Sequence, residues 1–172
     1  MSVFIENELE DSESFPEKYI SIIKEIISAA GEYAQCPYEC EVNVLITDNE
    51  GIQAINSEQR GIDAPTDVLS FPMIEYEKAG DFSGIRDEDE WLFDLENGEL
   101  ILGDIVLNYD RIKAQAEEFN HAVAREVAFL TAHSMLHLFG YDHVEDDERV
   151  EMERMQEEII SKRGYTRDYE EE

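Results

Sequence analysis

The segment from Tyr109 to Gly140, YDRIKAQAEEFNHAVAREVAFLTAHSMLHLFG, constrains the fold more than any other part of the chain. It reads as helix with a break near Asn120, and its second half is apolar on nearly every side. A surface helix needs one polar face toward water, and this one has none to offer. The second half must therefore run through the centre of the molecule, covered all round, until Gly140 stops it as a C-cap. Three of the chain's four histidines, His133, His137 and His143, lie on this helix or just past its end.

The rest of the chain supplies the cover. VFIENE reads as a short strand, and after Pro16 the run EKYISIIKEIISAAGEY puts Ile20, Ile23, Ile26, Ile27 and Ala30 on one helical stripe. CEVNVLITD alternates Val42, Val44 and Ile46 with Glu41, Asn43 and Thr47, which predicts a strand with one buried face. Asp48 can then cap a short helix through NEGIQAINSEQR. Pro65 and Pro72 bracket a strand from Val68 to Phe71, and LILGDIVLN is another. Residues 74–99 are irregular and acidic, expected to form a surface insertion with one hairpin around EWLFDL. EDDERVEMERMQEEIISKR turns Met152, Met155, Ile159 and Ile160 inward on a last amphipathic helix, and the tail over 164–172 is expected to fray. These elements predict a single α/β (α+β) domain over residues 1–172, a small mixed sheet packed by helices around the histidine-bearing one.

A chain of 172 residues can bury such a core without disulfides or a structural metal. Its formal charge of -30 argues against a protein that coats nucleic acid, because phosphate backbones recruit Lys and Arg. Any nucleic-acid role must rest on a local site. The N-terminus lacks the basic and apolar regions of a secretory signal, and no apolar run approaches the roughly 18 residues that span a bilayer, so a cytoplasmic protein is expected. Cys36 and Cys40, spaced C-x-x-x-C with no second pair, read as two ordinary reduced thiols.

His133 and His137 are four residues apart on a helix, so their rings project from one face a turn apart, as two ligands of one tetrahedral ion must. Gly140 lets the backbone leave the helix in a left-handed conformation and bring His143 round to the same ion. Three neutral nitrogens without a fourth protein ligand describe the open arrangement of catalytic zinc. The spacing is that of a metalloprotease with its glutamate base replaced by Ser134. A peptidase needs that carboxylate to protonate a departing amine, whereas zinc as a Lewis acid suits a phosphodiester if a cation assists. His121 lies outside the pattern, on the surface or behind a ligand.

HSMLHLFGYDH, DAPTDVLSFP with Arg60 just before it, and LGDI at Leu102–Ile105, in this order, resemble the bacterial YbeY family of endoribonucleases over about residues 40 to 160. The resemblance implies a zinc-dependent, single-strand-specific endoribonuclease acting in 16S rRNA 3'-end maturation, rRNA processing and ribosome quality control. It implies one zinc held by His133, His137 and His143, and a functional arginine at Arg60. Its implied partners are the small-subunit rRNA precursor and the ribosome or ribosome-associated proteins, a small GTPase among them. The family's usual glycine after the first histidine is Ser134 here, close enough in sequence to touch the zinc water or crowd substrate.

Arg60 also has an independent rationale: a planar, always-charged guanidinium can bridge two phosphate oxygens of a pentacoordinate transition state. Asp63 and Asp67 read as turn and capping residues. Asp104 is a candidate carboxylate behind a ligand histidine, with backbone capping the alternative. Two other functions fit the same residues. One is a metzincin-like metalloprotease that recruits its base from Glu126 or Asp142, and the other is a non-catalytic ribosome-assembly factor with a structural zinc closed by a carboxylate, Cys36 or Cys40.

Overall fold

In a computed structural model, which describes residues 1–171, the chain forms strands β1 (Ser2–Asn7), β2 (Cys40–Thr47), β3 (Val68–Pro72) and β4 (Leu100–Asn108) and helices α1 (Glu17–Tyr33), α2 (Asn49–Arg60), α3 (Tyr109–Glu118), α4 (Val123–Leu138) and α5 (Asp146–Ser161). The strands lie in the order β1-β2-β4-β3, with β1, β2 and β4 parallel and β3 antiparallel to β4. This is the small mixed sheet expected.

Helix α4 occupies the middle of the main core. Val127, Ala128, Ala132, Met135, Leu136 and Leu138 have no exposed surface and pack with Ile23, Ile26 and Ile27 of α1, Met152 and Ile160 of α5, and Val42, Ile46 and Leu107 of the sheet. Removing a buried Leu or Met side chain from such a position costs about 2–5 kcal/mol, so the enclosure fixes the helix firmly. Its two buried charges are both satisfied. Arg125 pairs with Glu157 at 2.6 Å and donates to the Thr166 carbonyl, and Glu126 accepts from Gln115 Nε2 at 2.6 Å and contacts His121 Nε2 at 2.5 Å. The break between α3 and α4 falls where expected, with Asn120 at φ 53°.

The opposite face of the sheet carries a smaller cluster, Ile52, Leu69 and Val106, under α2. Asp48 caps α2 by accepting from the Gly51 amide, and Gly61 ends it at φ 69°. On β2, Glu41 and Thr47, predicted on an open face, are buried as well, while Asn43 between them is exposed. Along α1, Ile22 joins the stripe and Ile20 sits at its margin.

In β4 the register against β2 shifts beside Leu102 and Gly103. This bulge reverses the inside–outside alternation, so that Leu102 and Ile105 both reach the main core while Asp104 is exposed.

Two expectations are corrected here. The hairpin expected around EWLFDL shrinks to one antiparallel bridge, Phe93 to Leu100, closed by the Asp94 amide on the Glu99 carbonyl at 2.8 Å, and Glu90–Leu92 is a 3-10 turn. The insertion is also anchored, with Phe82 buried edge-on against Phe139 at 5.6 Å. At the C-terminus, Tyr165 is buried and Glu171 accepts from the Ala124 amide, so this stretch returns to the core; residue 172 of the expected tail lies outside the described residues. Among the described residues, no helix is long and apolar enough to cross a membrane.

Gly103 has φ +140°, and a Cβ there would lie 2.2 Å from the Phe71 carbonyl oxygen of the neighbouring strand. Gly103→Ala is therefore expected to destabilise the protein by at least about 1–3 kcal/mol. Gly84, with open space around it, should tolerate alanine within about 0.5 kcal/mol. Chemical denaturation of the two variants measures both.

Candidate metal centre

The last turn of α4 and the loop after it build the site. Phe139 leaves the helix, Gly140 follows at φ +95°, the Gly140 amide bonds to the His137 carbonyl at 3.0 Å, and the Tyr141 amide bonds to the Leu136 carbonyl at 3.0 Å. This is a Schellman turn, which satisfies the helix-end carbonyls and reverses the chain. A side chain at position 140 is blocked twice, by the positive φ and by the Tyr76 ring 2.8 Å from where Cβ would be. The reversal carries His143 back beside the helix, where the Asp142 carboxylate holds its amide at 2.8 Å.

The three imidazoles converge. One nitrogen from each of His133, His137 and His143 lies within 4.8 Å of the other two, and the Nε2 atoms of His133 and His137 are 3.1 Å apart. Two nitrogens bonded to a tetrahedral zinc at about 2.0–2.1 Å stand about 3.3 Å apart, so the helical pair has the spacing of two such ligands. Burial lowers the pKa of both helix histidines. For His133 the fall is opposed by Gln156, and for His137, reinforced by its two histidine neighbours, the value drops to about 4. At neutral pH the His137 lone pair is free for a cation. Among the described residues no carboxylate or thiol joins this group of candidate ligands, and three such nitrogens would leave a tetrahedral ion one open position. Cys36 and Cys40 sit at the α1–β2 junction and do not close it.

The histidines open onto a cleft of about 560 Å³ whose other wall is the segment after α2 and strand β3. Arg60 lines this cleft together with Thr66, Asp67, Ser70 and Asp142. The cleft-lining loop is held by two buried amides: Asn56 donates to the Ala64 carbonyl at 2.9 Å, and Asn108 donates to the Thr66 carbonyl at 2.9 Å. Arg60 Nη1 lies 3.5 Å from Asn56 Oδ1, which links the guanidinium to the same anchor.

Other predicted residues fall elsewhere. Asp104, a candidate for the carboxylate behind a ligand histidine, instead lines the groove on the opposite face of the sheet, beside Phe4 and Asn43, because the Gly103 bulge turns it there. The group behind His133 is Gln156 of α5, buried, with its side-chain oxygen 3.3 Å from His133 Nδ1. Ser134 does not itself line the cleft. It is fully buried, with its hydroxyl 2.5 Å from that of Ser70, and it docks α4 on β3. Glu126 is committed to Gln115 and His121 two helical turns from the cleft, which removes it as a base there. Asp63 accepts from Gln53, and Asp67 caps the Val68 amide as expected while also presenting its carboxylate to the cleft.

The chain is similar to known proteins over nearly its whole length. The family profile described as "Endoribonuclease YbeY" matches residues 4–164. The chain belongs to the YbeY family. A relative named endoribonuclease YbeY from Agathobacter rectalis is 53% identical over 167 residues, covering 97% of this chain and all of its own. Another YbeY, from Lachnoclostridium phytofermentans, is 51% identical over 162 residues, covering 94% of this chain and 97% of its own. A Thermotoga maritima protein solved in solution shares the fold at a TM-score of 0.53, with 23% identity over 94% of this chain and 91% of that one. In this YbeY chain Gln156 was hidden from sequence reasoning, and its only signal is a polar side chain on the apolar stripe of α5, next to Met155.

A residue that orients a ligand imidazole typically contributes 10-fold to 100-fold to metal affinity, so Gln156→Ala should weaken zinc binding by about that factor while leaving the helix content unchanged. Competition with a chromophoric chelator, alongside circular dichroism, measures this.

Proposed function

We propose that this YbeY-family chain is a zinc-dependent endoribonuclease that cuts single-stranded RNA, with His133, His137 and His143 as the metal ligands and Arg60 as the phosphate-binding cation. The observation that carries the reading is one cleft holding both a three-nitrogen open site and an arginine, in a chain whose relatives are named endoribonucleases. When bound, zinc would supply Lewis-acid polarisation of the scissile phosphate and activation of the attacking water or ribose hydroxyl.

The chain's own residues do the remaining work. Arg60, on the opposite wall, pairs its planar guanidinium with nonbridging phosphate oxygens and stabilises the charge that builds up during displacement. Asn56 and Asn108 keep that wall in place. The protease alternative is the weaker one: the position of the usual base is Ser134, turned to Ser70, Glu126 is bound elsewhere, and Asp142, which does line the cleft, has its carboxylate on the His143 amide, in a chain whose relatives are named endoribonucleases.

The substrate we assign is the small-subunit rRNA precursor, cut in maturation of its 3' end and in ribosome quality control in the cytoplasm. With a net charge of -30, free RNA is repelled over most of the surface. Delivery by the ribosome or a ribosome-associated protein, such as a small GTPase, fits that charge.

His137→Ala is expected to abolish both zinc binding and cleavage. Arg60→Ala should retain zinc and lose about 100-fold to 1000-fold in cleavage rate, the scale of a lost transition-state charge contact. Metal analysis and cleavage of a labelled single-stranded RNA read the two effects, and full activity in Arg60→Ala would remove the arginine from the mechanism.

A further inference from the structure

We propose that Cys36 and Cys40 form a reversible disulfide, which makes the junction between α1 and β2 an oxidisable site separate from the histidine cleft. The two sulfurs are 3.4 Å apart. Both also lie near one acceptor, the Tyr38 carbonyl oxygen, at 3.7 Å from Cys36 and 3.3 Å from Cys40. The turn CPYEC thus points both side chains to the same side. A disulfide bond measures about 2.05 Å, so the sulfurs need to close by only about 1.3 Å, within reach of side-chain rotation.

The two thiols are not equivalent. Cys36 is half-buried and open to a small reagent, whereas Cys40 has no exposed surface and lies in the main core. The hydrogen bond between them lowers the pKa of Cys36 and raises that of Cys40, an effect that burial adds to at Cys40. Cys36 is therefore the attacking thiolate, and Cys40 can react only with the sulfur beside it.

The oxidant is a low-molecular-weight disulfide. The Cys36 thiolate attacks one of its sulfurs, the Cys36–S bond forms, the reagent's S–S bond breaks and one thiolate leaves. Cys40 then gives up its proton and attacks Cys36 Sγ, expelling the second thiolate. Two protein thiols are oxidised to one disulfide, and one reagent disulfide is reduced to two thiols, which carry the two protons.

The test uses the full chain with oxidised glutathione under native conditions, acid quench, alkylation and mass analysis of the peptide spanning residues 36–40. The expected product is two hydrogens lighter than the reduced peptide, resists alkylation and regains two alkylatable thiols with dithiothreitol. Cys40→Ser should stop at one glutathione on Cys36, and Cys36→Ser should slow reaction at the remaining buried thiol at least about 10-fold, as exposure and thiolate character predict. If Cys40→Ser does not fold, the wild-type product and Cys36→Ser still decide. Stable glutathione on wild-type Cys36, or two thiols that stay alkylatable, would overturn the proposal.

Discussion

Enclosure of α4 is the constraint on which the other parts depend. A helix that is apolar on nearly all sides must be wrapped by α1, α5 and the sheet, and the cover opens toward the cleft along its last two turns. At that gap stand His133 and His137, each partly exposed and surrounded by residues that cannot move without opening voids. The same packing lowers the proton affinity of both rings, so the force that folds the protein also prepares the nitrogens as donors. The Gly140 turn completes the set by returning His143, and Tyr76 against that glycine leaves the loop little freedom to wander.

The second wall of the cleft is assembled differently. It consists of a loop, Gly61–Asp67, and the short edge strand β3, neither of which has enough apolar surface to hold itself. Buried amides substitute for it. Asn56 reaches from α2 and Asn108 from the end of β4, and each satisfies a loop carbonyl. The Ser70–Ser134 contact then ties β3 to α4 directly, so that the two walls share one joint. Serine after the first histidine is thus accommodated as a strut between the two walls.

The histidine triad could be read from the sequence because its geometry is local: eleven residues, one helix face and one glycine define it. The central helix, the capped α2 and the break at Asn120 could be read for the same reason, since short-range periodicity and capping decide them. Arg60 lies over 70 residues from the triad in sequence, and only the resemblance to the family linked the two; no local pattern measures that distance. Asp104 was misplaced because a bulge at Gly103 reverses the strand's alternation, and a bulge leaves no periodic trace beyond the glycine. Gln156 was invisible because an isolated glutamine on an amphipathic helix carries no motif, and its meaning appears only when α5 packs beside His133. On β2 the predicted open face survives at Asn43, while Glu41 is covered beside Asp94 and Glu99, distant in sequence, and Thr47 against the start of α2, contacts that the strand's own alternation does not show.

The central claim is that one cation, held by three histidines, cuts RNA with the help of Arg60. Its most direct test is zinc content and single-stranded RNA cleavage measured on the same preparation, before chelation, after it and after zinc is restored. The proposal predicts one zinc per chain, cleavage lost with the metal and regained with it. Cleavage that persists in the metal-free protein, or a full complement of zinc with no cleavage of RNA presented alone or on ribosomal particles, would contradict it.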